Sequence, residues 1–93
     1  MAFALIKLRI RLPGVHSLKE KRSRLARIRT MALKHNYSFA EIGDQDTWND
    51  SQLGFAIVSS DGHALERQLS AFEKMLSQVD PELMVVNIEI ERL

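Results

Sequence analysis

A chain of 93 residues with a formal net charge of +1 makes a single domain, residues 1–93, whose thin core buries about 60–65% of the surface exposed on unfolding. Hydrophobic residues at 45% and charged residues at 27% give an ordinary globular balance and argue against disorder. The absence of cysteine excludes disulfide scaffolds, zinc ribbons, thiolate clusters and cysteine nucleophiles. No apolar run nears the roughly 20 residues that span a bilayer, and the start lacks a signal-peptide h-region, so a soluble, cytoplasmic protein is expected. The small net charge hides an asymmetry. Residues 1–36 carry ten basic residues against Glu20 alone, whereas residues 37–93 carry three against eleven acids. Either the halves neutralise each other on folding, or the basic half presents a patch to a polyanion.

Residues 3–12 alternate strictly, with Ala4, Ile6, Leu8, Ile10 and Leu12 on one side and Phe3, Leu5, Lys7, Arg9 and Arg11 on the other. That pattern predicts a strand with one buried face, ended by Pro13-Gly14. Ser17-Leu18-Lys19-Glu20 has the form of a capping box and starts a helix at Leu18 that runs to about His35. Leu18, Leu25, Ile28, Ala32 and Leu33 form its apolar stripe. Arg22 and Arg29 then fall near the middle of that stripe, with Lys21 at its edge, while Lys19, Arg24, Arg27 and Lys34 point to solvent. Tyr37–Gly43 and Leu53–Ser59 read as strands joined by the polar loop Asp44–Gln52. The second buries Leu53, Phe55 and Ile57; for the first, either set of side chains fits the core. Asp61 caps a second helix with Leu65, Leu69, Phe72, Leu76 and Val79 along one side, stopped by Asp80-Pro81. Met84, Val86, Ile88 and Ile90 alternate against Val85, Asn87, Glu89 and Glu91 in a last half-buried strand.

The order β-α-β-β-α-β, with two amphipathic helices and four one-sided strands, predicts an α+β two-layer sandwich of ferredoxin-like topology. Its antiparallel sheet has the order 4-1-3-2. The strings SLKEKR at 17–22, SFAEIGDQDTW at 38–48 and LGFAIVS at 53–59 resemble the YlxP-like family of small bacterial proteins over essentially the whole chain. The resemblance implies the ferredoxin-like fold and no established function or catalytic residues. Genes of that family often lie near those for translation initiation and ribosome maturation factors, which tilts the expectation toward RNA or the ribosome.

Motifs for chemistry are missing. His16, His35 and His63 have no helical ligand spacing, and a calcium loop read from Asp44 places Asn49 and Phe55 where glycine and glutamate are required, so no metal is expected. There is no G-x-S-x-G elbow and no glycine-rich phosphate loop. The sequence therefore points to a non-enzymatic module with no catalytic residues and no cofactor. The favoured reading is RNA or ribosome contact through Lys7, Arg9 and Arg11 on the first strand and Lys19, Arg24, Arg27 and Lys34 on the first helix. Base-specific readout is not expected, because the open sheet offers only Phe3, with Tyr37 or Phe39 if the second strand turns that way. The alternative is a homodimeric scaffold using the open sheet face, where Phe3, Leu5, Ala40, Gly54, Ala56, Val58 and Val85 are expected. Trp48 and Leu5 are candidate partner contacts. Membrane binding is not expected, since the outer side of the first helix lacks the apolar face of an interfacial helix. Arg22 and Arg29 are expected to form internal ion pairs with Glu41 and Asp46, because an unpaired buried guanidinium is too costly.

Overall fold

The computed structural model describes residues 1–93, in the order β1 (Ala2–Arg11), α1 (Leu18–Lys34), β2 (Ser38–Gly43), β3 (Asp50–Ser59), α2 (Gly62–Val79) and β4 (Met84–Arg92). The sheet is antiparallel in the order β2-β3-β1-β4, the ferredoxin-like arrangement that the periodicities predict, counted from its other edge. Alternation decides which side each strand buries. Ala4, Ile6, Leu8 and Ile10 of β1 and Leu53, Phe55 and Ile57 of β3 meet Leu25, Ile28 and Ala32 of α1 and Leu65, Leu69, Phe72 and Leu76 of α2 in one core. Tyr37, Phe72, Phe55 and Phe39 form an aromatic chain through it, with successive ring centroids 6.5, 4.8 and 5.3 Å apart.

The caps are those the sequence announces. Ser17 Oγ accepts the Glu20 amide at 3.1 Å, and Asp61 Oδ1 accepts the Ala64 amide at 2.8 Å. The Glu20 carboxylate reaches back one residue further than a standard capping box, to the His16 amide. Tyr37 N–H returns to Ala32 O at 2.8 Å, past Asn36 in the left-handed region, and so closes α1.

Two expectations need correction, and one open choice is resolved. β3 starts at Asp50 rather than Leu53, so the connecting loop is shorter and Ser51 is buried. β2 is resolved by its pairing: Phe39 opposes Phe55 and Glu41 opposes Leu53, on the helix side, which leaves Ser38 and Ala40 on the open side. Phe39 is therefore unavailable there, and Tyr37 lies buried before the strand. Finally, a bulge in β4 skips Val86, so Val85 pairs with Ile10 and Met84 with Arg11. The extra residue reverses the alternation: Val85 belongs to the helix side and Met84 takes its place on the open face.

Candidate functional site

The true phase of α1 decides which of its cations are available. Its buried residues are Lys21, Leu25, Ile28, Met31 and Ala32, an arc centred roughly 50° from the stripe that includes Leu33. Leu33 is 65% exposed, and counting it with the core draws the expected stripe toward Arg22 and Arg29. Those two arginines are exposed and in no ion pair with Glu41 or Asp46; Arg29 lies with Cζ 5.5 Å from the centroid of Phe39. The internal cation is Lys21, which is 1% exposed. Its Nζ sits 3.0 Å from Glu41 Oε2 and donates to the carbonyls of Asp44 at 2.5 Å and Thr47 at 2.6 Å. Two of the three ammonium donors are used on carbonyls, and the charge is answered by Glu41. Glu41 is the expected carboxylate, but it is held by a different base, and by Ser51 Oγ at 2.8 Å. Asp46 is exposed in the loop.

A second correction removes Arg24 from the candidate surface. Its Nε and Nη2 each donate to the Asp80 carboxylate at 2.7 Å, a bidentate pair tying α1 to the end of α2. The hydrogen bond to Asp80 raises the Arg24 guanidinium above its ordinary value, against the opposing effect of burial. Burial pushes the Asp80 carboxyl up, yet the hydrogen bonds and charge of Arg24 outweigh it and hold the group below the usual range. The sequence places Lys21 only at the edge of the apolar stripe and Asp80 only at the stop of the second helix. The signal for Lys21 is its spacing, four and seven residues before Leu25 and Ile28.

The remaining bases divide between two sides of the molecule. Lys7, Arg9 and Arg11 lie on the sheet face opposite the helices, whereas α1 turns its exposed side away from the sheet, so the two groups cannot form one surface. In the strand group, Arg11 Nε donates to Asp50 Oδ1 at 3.1 Å, and Lys7 lies opposite Glu89 in the strand register without forming an ion pair. The helix group is not answered. Lys19, Arg22, Arg27, Arg29 and Lys34 are exposed and belong to none of the four ion pairs, which join Arg11–Asp50, Lys21–Glu41, Arg24–Asp80 and Glu66–Arg92. These five span about 22 Å along the helix axis.

The open sheet face carries a different feature. Leu5 is 45% exposed beside Ala56, and Ile42 lies across Gly54, whose added Cβ would sit 3.2 Å from Ile42 Cγ2. With Ala40 they line a groove of about 560 Å³, edged by Lys7, Glu89 and Glu91. A third place, a polar cleft of about 380 Å³, lies before α1, where Trp48 faces Gly14, Val15 and His16 beside Asp46 and Asn49. No three His, Cys, Asp or Glu side chains converge to hold a metal ion, and no helix is long and apolar enough to cross a membrane.

The model of a family described as protein of unknown function DUF503 matches residues 3–90. The chain belongs to this DUF503 family. It is 44% identical over 70 residues to the uncharacterized protein YlxP of Bacillus subtilis (strain 168), covering 72% of this chain and 73% of the relative, so the resemblance read from 17–22, 38–48 and 53–59 is borne out. Among solved structures, SnoaB, a cofactor-independent oxygenase from Streptomyces nogalater, superposes with a TM-score of 0.60 at 14% identity over 97% of this chain and 90% of its own. The de novo designed protein Foldit4 superposes with a TM-score of 0.56 at 13% identity over 98% and 96%. A natural oxygenase and a designed protein share this DUF503 architecture, so at such identities the likeness speaks for the fold alone.

Proposed function

We propose that the protein is a non-enzymatic RNA-contacting module that binds phosphates through the outer side of α1. The observation that carries this reading is the row Lys19, Arg22, Arg27, Arg29 and Lys34, exposed along one helix and free of ion pairs. Internal neutralisation, the competing explanation of the charge asymmetry, uses Lys21, Arg24 and Arg11 and stops there. Unanswered cations in a row attract a polyanion by counterion release, independent of sequence. The strand bases drop out of the interface because they face the other way. The non-enzymatic part of the reading is supported by the displaced titrations: Arg24 with Asp80 and Glu66 with Arg92 are ion pairs, and Tyr37 is raised by burial in the core. None is an acid or base poised in a cleft.

Binding of structured RNA or ribosomes is expected to weaken steeply with salt, with a log–log slope of roughly −0.7 to −0.9 per phosphate contact. The variant Arg22→Glu/Arg27→Glu should show a slope shallower by about two such contacts. Binding that ignores these charges, or is absent at low salt, removes the reading.

Self-association through the open sheet face is a second reading, favoured by the groove there. That face bears both protrusions, Leu5 and Ile42, and a small-residue depression at Gly54 and Ala56, which a two-fold interface needs from a single surface. Four strands about 4.8 Å apart and six to ten residues long give it roughly 550 Å², about two thirds of the ~800 Å² per partner of a standard interface. Light scattering at tens of micromolar should give twice the 10.7 kDa chain mass, and Leu5→Glu should return it to one chain. A monomer mass for the unaltered protein rules this association out. The two surfaces are on opposite sides, so a dimer leaves both α1 rows outward.

A further inference from the structure

Trp48 is the largest apolar side chain in the protein and is 53% exposed, which is an unfavourable place for an indole with nothing on it. Its loop is nonetheless fixed on both sides. Lys21 Nζ holds the Asp44 and Thr47 carbonyls, the Thr47 amide donates to Asp44 O at 3.1 Å, and the Leu12 amide donates to Asn49 O at 2.7 Å. Asp44 makes the sharp start of the turn in the left-handed region, at φ 58°. An exposed aromatic ring on an immobilised loop has already lost the backbone freedom that binding would otherwise take from it. Beside the ring, the cleft offers His16, Asp46 and Asn49 as polar groups. His16 precedes the Ser17 cap, and the Lys21 contacts press the loop against the first turns of α1, where Lys19 and Arg22 stand exposed. Arg29, seven residues beyond Arg22 on the same flank, lies over Phe39 of β2, so this flank of the helix faces the side of the sheet from which the loop emerges.

We propose that Trp48 is a stacking platform for one unpaired RNA base, with Lys19 and Arg22 holding the adjoining phosphates. The inference rests on the phosphate-binding reading of α1 and narrows its ligand to RNA with unpaired residues. The Asp46 carboxylate repels phosphate, so it is the base and not the backbone that enters the cleft. A carboxylate accepts hydrogen bonds from an exocyclic amino group, which cytosine has and uracil lacks. Cytidine is therefore preferred to uridine at this position. Stacking itself tolerates any base, because every base has a π-face.

Since Trp48 is the single tryptophan, its fluorescence reports the site without a label. Short oligocytidine, short oligouridine and an RNA duplex of equal length are titrated against the protein at low salt. Binding is followed in parallel by anisotropy of end-labelled RNA. Oligocytidine should quench Trp48 over the concentrations at which anisotropy rises, with oligouridine weaker and the duplex leaving the emission unchanged. Trp48→Ala should weaken oligocytidine binding roughly ten- to hundredfold and leave duplex binding as it was, and Trp48→Phe should recover part of the loss. Salt-dependent anisotropy with unmoved fluorescence, and equal affinity for Trp48→Ala, overturns the stacking site while the phosphate row stands. No anisotropy change with any of the three RNAs overturns both.

Discussion

Replacing Lys21 by methionine is expected to lower the free energy of unfolding by about 3 kcal/mol, measured by urea denaturation at neutral pH. Methionine retains most of the apolar stem, so the loss isolates the ammonium rather than the packing. Without it, Glu41 keeps only Ser51 as a partner, the Thr47 carbonyl loses the Lys21 donor, and the Asp44 carbonyl keeps only the Thr47 amide. Each buried acceptor left unpaired costs about 1–3 kcal/mol, less where water reaches it. Arginine is a poor replacement, because three acceptors converge on one point and a planar fork cannot meet them. The same substitution at the neighbouring exposed base, Arg22→Met, should change stability by no more than about 0.5 kcal/mol. If the two variants unfold alike, Lys21 is not the internal cation. Trp48 emission supplies a second readout, since releasing the Asp44 and Thr47 carbonyls frees the loop that holds the ring.

The contrast between these two residues shows how far pattern reading reaches. β1, β3 and α2 follow their alternation or stripe closely, because the apolar residues that share one side of each are the ones that pack into the core. α1 breaks that rule twice: Lys21 is in the core and Leu33 is in solvent. A reading that counts Leu33 with the core rotates the helix until Arg22 and Arg29 appear buried. Only the loop carbonyls, brought from more than twenty residues away, make a buried ammonium tolerable, and local sequence does not contain them. The bulge at Val86 is similar, since one skipped residue exchanges Val85 and Met84 between faces while leaving the composition of the strand unchanged. The candidate RNA surface suffers most from this locality. Basic residues adjacent in sequence and charge lie in different layers, and it is the layer, not the charge, that decides whether Lys7 and Lys19 meet one ligand.

Acid is expected to dissolve the Arg24–Asp80 pair, and Asp80→Asn shows by how much. Asp80 is 3% exposed, accepts both Arg24 hydrogen bonds and also the Glu82 amide at 3.2 Å, and ends α2 just before Pro81. At neutral pH the asparagine variant should be less stable by about 3 kcal/mol, because it leaves a largely buried guanidinium without its counter-charge. The carboxyl titrates lower in the folded chain than in the unfolded one, so its contribution is complete above the unfolded value near pH 4. It is lost as the pH falls from there through the lower folded value. The stability gap between wild type and Asp80→Asn should therefore be constant above about pH 5 and close progressively in more acidic solution. A gap independent of pH means that the variant reports a packing defect instead of the ion pair. The same variant also separates structure from binding. Arg24 is withdrawn from the outer side of α1, so Asp80→Asn should leave the salt slope for RNA at its wild-type value under conditions where the protein stays folded. A changed slope would return Arg24 to the phosphate row.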